Sequence, residues 1–145
     1  MPLFEWNAEY TVFVPQFDDD HKHLFALVNE LNDSMSAGHG RHTINNVVAE
    51  LERYTREHFS REESALRAAG FPGLAAHQAM HRAFVAKVAG FRAQMESGTV
   101  VLPIDVLFFL GNWLRDHILQ ADHEYIELFA VQKRNLGLSH SSRVQ

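Results

Sequence analysis

Cysteine is absent from all 145 residues. That absence excludes disulfides, iron–sulfur clusters and thiolate metal sites, and leaves histidine, aspartate and glutamate as the strong metal ligands. Basic residues are in the minority. Thirteen Lys and Arg against 18 Asp and Glu give a formal net charge of −5, and with no basic run this argues against a nucleic-acid partner. No stretch is apolar for long enough to insert in a membrane: the window from Val100 to Leu114 is short and interrupted by Pro103, Asp105 and Asn112. Met1-Pro2-Leu3-Phe4-Glu5-Trp6 lacks the basic segment and apolar run of a signal peptide, so a soluble, cytoplasmic protein is expected. The alternating pattern of strands is missing as well, and no internal repeat is found.

What the chain has in excess is histidine, ten in all, on a background of 46% hydrophobic and 21% charged residues that suits an ordinary globular domain. A single domain over 1–145 is expected. Residues 1–17 mix aromatic and polar side chains with Pro2 and Pro15. They read as an extended arm whose Phe4, Trp6, Tyr10 and Phe13 pack onto the body. Asp18, Asp19 and Asp20 then supply an N-cap and favourable negative charge for a first helix carrying His21, Leu24, Phe25, Val28, Leu31 and Met35. Gly38-His39-Gly40 ends it.

The second helix is expected from about Thr43 to Ala69, stopped by Gly70-Phe71-Pro72-Gly73, and the third from Leu74 to Glu96. Pro103 suits the first position of a fourth helix, which runs to Phe129 and beyond and is closed by Asn135 to Gly137. Residues 138–145 form a polar tail. Four long helices with short connections give an all-α, up-down-up-down four-helix bundle over about 18–137, preceded by the arm.

Polar residues on the inward stripes then need a reason, because a buried unpaired imidazole or carboxylate is costly. His58 and Glu62 are one turn apart on one helical face, placed to bind one metal, or two if the carboxylate bridges. His77 and His81 repeat that spacing on the third helix. His21 lies on the first helix, and His117 and Asp122 lie on the fourth, so every helix points at least one ligand toward a common axis. Each residue taken singly reads as a capping, core or surface group. Five inward histidines and two carboxylates together do not.

These motifs resemble the hemerythrin family, in particular its bacterial single-domain members. The matching pieces are Asp-His-Lys-His-Leu-Phe at 20–25, His-Phe-Ser-Arg-Glu-Glu at 58–63, His-Gln-Ala-Met-His at 77–81, and Trp-Leu-Arg-Asp-His-Ile at 113–118 with Asp122. The resemblance implies two iron ions. His77, His81 and His117 would hold one and His21 and His58 the other, with Glu62, Asp122 and a solvent-derived oxo or hydroxo group bridging them. Three histidines and three bridging atoms fill a coordination number of about six. Two histidines leave one position open, where a small ligand such as O₂ would bind.

Periodicity agrees on His21, because His23 is rotated about 200° from the stripe. The five-residue step from His117 to Asp122 advances about 140° beyond a full turn of α-helix, so a local widening, a π-bulge, is expected there. His39, His42, His123 and His140 fall off the stripes, and Glu63 and Asp116 point away from them toward solvent.

The implied activity is reversible O₂ binding for storage or delivery, with no catalytic residue. A pocket suited to it is apolar and poor in acids, and Phe59, Trp113, Leu114 and Ile118 fit such a wall, Leu114 closest to the ligand. The rival readings are a di-iron enzyme acting on O₂, peroxide or nitric oxide, and an oxygen or redox sensor. Five imidazoles with only two carboxylates favour the carrier, since four-helix di-iron oxidases carry more carboxylates. A monomer is expected, with an oxygen-consuming protein as recipient.

Overall fold

A computed structural model describes residues 3–131. After a 3-10 turn at Ala8–Tyr10 come α1 (Pro15–Ser36), α2 (Gly40–Ala68), α3 (Leu74–Glu96) and α4 (Pro103–Asp116). The chain continues from α4 through a π-helical turn, His117–Ala121, and a 3-10 turn, Asp122–Tyr125, and is helical again over 126–131. No strand occurs among the described residues. α1 packs against α2 and α4, and α2 against α3. Ring contacts between Phe84 and Trp113, at 4.2 Å, and Phe91 and Phe109, at 5.8 Å, join α3 to α4. The architecture is the expected four-helix bundle. The expected closure at Asn135–Gly137 and the tail 138–145 lie outside the described residues.

Several boundaries depart from the sequence reading. Pro15, not Asp18, opens α1, because its fixed φ and missing N–H suit the first helical position. The arm therefore ends before 17, and the aspartates do not cap. Asp18 instead ties the arm down: its carboxylate accepts from the Val12 N–H at 2.9 Å and from the Thr11 hydroxyl at 2.5 Å. Asp20 turns inward. α2 begins at Gly40, ahead of Thr43. The widening after His117 is present as expected, as the π-helical turn.

Within the arm, Phe4, Trp6 and Tyr10 gather around Phe25, with ring centroids 5.4, 5.6 and 4.8 Å from it. Asn29 exchanges two 2.8 Å hydrogen bonds with the Phe4 backbone. Gly111 makes that docking feasible, because a Cβ there would meet the Phe4 ring at 2.7 Å. Phe13 does not join the others. It is 72% exposed at a φ of 62°, since the Asp18 tether fixes the backbone on either side of it. At the other end of the bundle, Gly70 closes α2 at a φ of 71°, a conformation that costs glycine nothing. The turn is completed by the Phe71 N–H to the Leu66 carbonyl at 2.9 Å and the Gly70 N–H to the Arg67 carbonyl at 3.1 Å.

The core comes in two pieces. A large cluster includes Leu31, Leu51, Phe59, Phe84, Leu110, Leu114 and Ile118. A smaller one, Val12, Phe17, Leu66 and Tyr125, closes the end near the α2–α3 turn. Along α2 and the α4 segment, the buried polar residues His58, Glu62, His117 and Asp122 alternate with members of these pieces, Phe59 and Ile118 of the large one and Leu66 and Tyr125 of the small one.

Candidate metal centre

The stripes deliver all seven side chains to one place. α1 brings His21, α2 His58 and Glu62, α3 His77 and His81, and the π-helical turn sets His117 and Asp122 on the same side. None exceeds 7% exposure, and both carboxylates are fully buried. The ligand-type atoms fall into two groups, Glu62, His77, His81, His117 and Asp122 in one, and His21, His58 and Glu62 in the other.

Each carboxylate divides its oxygens between the groups. Glu62 Oε1 lies 2.5 Å from His77 Nε2 and 3.1 Å from His81 Nε2, while Oε2 lies 3.2 Å from His58 Nε2 and 3.9 Å from His21 Nε2. Asp122 Oδ1 is 3.1 Å from both His77 Nε2 and His117 Nε2, and Oδ2 is 3.2 Å from His21 Nε2. Several of these approaches are not hydrogen bonds. Both Asp122 oxygens and the Nε2 atoms of His81 and His117 are buried without a hydrogen-bond partner. Ligand-type atoms of these residues and of the others in their group lie within 4.8 Å of one another, as ligands to a cation do. Five imidazole nitrogens and two carboxylates, with no thiolate, suit iron and other first-row divalent ions. The residues present fit a pair of metal ions.

Electrostatics favours positive charge at the same point. Burial, and then the neighbouring Asp122 charge, would raise the Glu62 pKa, yet the adjacent imidazoles of His58, His77 and His81 hold it well below its ordinary value. Burial opposes ionisation of Asp122 too, and the close imidazoles of His117, His21 and His77 outweigh it and hold its pKa well below the ordinary value. Burial pulls the His58 imidazolium down, but Asp20, Glu62 and Asp122 push its pKa up to about 9. His77 is lifted to about 10 against the same burial by Asp122 and Glu62. Protons on these imidazoles neutralise the buried carboxylates, a task bound cations would take over.

A second layer holds the first, and its members escaped the sequence reading. Asp20 Oδ2 accepts from His58 Nδ1 at 2.8 Å, and Arg61 steadies Asp20 by donating to Oδ1 at 2.7 Å. Burial would raise the Asp20 pKa, but His58 and Arg61 hold it below its ordinary value. Glu63, expected in solvent, accepts from His81 Nδ1 at 2.8 Å. An Nδ1–H committed in this way leaves the Nε2 lone pair aimed at the site. The Tyr125 hydroxyl donates to Glu62 Oε2 at 3.1 Å, and burial with the Asp122 and Glu62 charges raises its pKa well above 10, keeping the proton on the donor. The only hints in the sequence were adjacency: Asp20 beside His21, Glu63 beside Glu62, and Tyr125 nearly one turn from Asp122.

Of the expected pocket wall, Phe59 stacks on His81 with centroids 3.8 Å apart, and Trp113 on His117 at 4.3 Å. Leu114 and Ile118 belong to the large apolar cluster with Phe59. His23 stands outside the centre, stacked on Tyr54 at 3.8 Å.

Known proteins resemble the chain throughout this region. Residues 12–129 match the family model described as the hemerythrin HHE cation binding domain. Bacteriohemerythrin of Methylococcus capsulatus is 32% identical over 126 residues, covering 86% of this chain and 95% of that protein. Myohemerythrin-1 of Phascolopsis gouldii is 32% identical over 123 residues, 84% of this chain and 91% of its own. A crystal structure of wild-type hemerythrin superposes with a TM-score of 0.80 at 31% identity, covering 87% of this chain and 97% of the other.

Proposed function

Because this chain belongs to the hemerythrin family, we propose that it binds O₂ reversibly at a non-haem di-iron centre, for storage or delivery and not for catalysis. The observation that carries the reading is the division of the Glu62 and Asp122 oxygens between a group with three histidines and a group with two. In this reading His77, His81 and His117 would hold one iron and His21 and His58 the other, and Glu62 and Asp122 would serve both. When bound, a diferrous pair supplies the two electrons that O₂ takes up, one from each ion.

The remaining work falls to the chain. The unequal histidine count leaves ligand space beside His21 and His58. The apolar residues packed against the site, Phe59, Leu114 and Ile118 in one cluster and Leu66 in the other, favour release of O₂ over cleavage of its O–O bond. Asp20 and Glu63 lock one imidazole in each group, and Tyr125 fixes Glu62, so little has to reorganise when charge moves. No helix among the described residues is long and apolar enough to cross a membrane. A cytoplasmic monomer that passes O₂ to an oxygen-consuming protein completes the proposal.

The test is anaerobic reduction of iron-loaded protein, followed by air and then degassing while the visible spectrum is recorded. A charge-transfer band that appears with air and fades on degassing is the expected result. Irreversible oxidation, or turnover under added reductant, would replace the carrier with an enzyme.

A further inference from the structure

Between α2 and α3 runs a groove of about 650 Å³ that ends at His81 and Glu63. Its floor is apolar, built from the buried Phe59 and Val88 with the half-exposed Val85 at its mouth, and Ala86 and Ala89 leave it open. Of the four rim charges besides His81, the two acids are already engaged: Glu52 by Arg92 at 2.8 Å and Glu63 by His81 at 2.8 Å. Arg56 and Arg82 are exposed and pair with no carboxylate among the described residues. The lining charges balance in number, but Arg92 engages Glu52 and the His81 N–H engages Glu63, which leaves Arg56 and Arg82 as the two cations over the slot free to meet an anion. Such a slot recognises a small anion with an apolar body.

We propose that this groove binds a planar aromatic anion that donates electrons to the metal centre, with the chemistry of a reduced flavin mononucleotide. Its volume lies within the range of small-molecule sites. The phosphate pairs with Arg56 and Arg82, whose planar guanidinium groups suit bidentate contact with it. The ring lies along Phe59, Val85 and Val88, with its edge toward His81, so a single imidazole separates it from the centre. The electrons balance. The flavin hydroquinone gives up two electrons and two protons. Each of two ferric ions takes one electron and becomes ferrous, and the protons leave to solvent at the open mouth of the groove. A carrier that has lapsed to the diferric form is thereby returned to service.

The redox step rests on the di-iron reading above, while the binding step does not. Flavin mononucleotide is titrated into the full-length protein, metal-free and iron-loaded, with binding followed by flavin fluorescence. Saturable one-to-one binding to both forms is expected, weakened at least about tenfold in R56E/R82E and for riboflavin, which lacks the phosphate. Reduction of the diferric protein by limiting flavin hydroquinone should slow by a similar factor in R56E/R82E, while reduction by dithionite does not change. Circular dichroism checks the fold, and R56Q/R82Q replaces the charge-reversed pair if helix is lost. Binding no tighter than millimolar, or equal affinity in wild type and variant, overturns the proposal. So does a dimer that V85E dissociates, which would make a second copy of the chain the occupant. Flavin binding to metal-free protein without a reversible O₂ band would sink the carrier reading and leave the binding site standing.

Discussion

Glu62 and Asp122, on different helices and both fully buried, divide their oxygens between the same histidine groups. Glu62 touches His77 and His81 with one oxygen and His58 with the other, and Asp122 does likewise with His77 and His117 against His21. Two like charges buried together are tolerable only with cations between or around them. That requirement generates the first expectations for this protein.

Removing Glu62 should disturb both groups, because it belongs to each, whereas removing His21 should disturb one. Glu62→Ala is expected to lose most bound iron. His21→Ala is expected to keep roughly half, with the triad His77, His81 and His117 still occupied. Iron per chain, measured after equilibrium loading and gel filtration, decides between these outcomes.

Asp20 and Glu63 act through the imidazoles they hold. Asp20→Asn and Glu63→Gln should each weaken metal affinity about 10- to 100-fold. Asp20 should give the larger effect, being buried and anchored by Arg61 while Glu63 is partly exposed. Competition with a chelator measures it. Unchanged affinity in both variants would mean that these bonds serve packing alone.

The metal-free protein should lose stability at alkaline pH. His58 and His77 are raised from 6.5 to about 9 and about 10, so folding favours their protonated forms. Their contribution is complete below pH 6.5 and disappears as pH rises through those values. Glu62 and Asp122 run the other way: their contribution is present above their ordinary values of 4.5 and 3.8 and fades at more acidic pH. Thermal midpoints in the presence of chelator should therefore fall between pH 6.5 and 10. Metal binding displaces the same protons, so near neutral pH it should release protons to the buffer, detectable with an indicator dye.

Gly111→Ala tests the arm. Its new methyl group would enter the space of the Phe4 ring, and either the ring or the helix must move. A cost of about 1–3 kcal/mol is expected, with a melting midpoint lower by several degrees. Phe4→Ala in the same background should remove part of that cost. An additive double variant would show that the arm does not dock on Gly111.

The sequence by itself determined the helices, the identity of the seven converging side chains and the irregular turn after His117. All of these follow from local spacing: 3.6 residues per turn puts His58 over Glu62 and His77 over His81, sets His23 aside, and leaves a five-residue step that a straight α-helix does not accommodate. Local spacing misplaced the start of α1, because three aspartates looked like caps when Pro15 was the stronger signal. The support for the site belongs to tertiary structure alone. Asp20 meets His58 across 38 positions of sequence, Glu63 meets His81 across 18, and Tyr125 meets Glu62 across 63. The groove at Arg56 and Arg82 likewise exists only once α2 lies beside α3. Helical period tells which face a residue occupies. The height and rotation at which two faces meet are set by how their side chains pack, and only there does an acid that looks solvated find its imidazole.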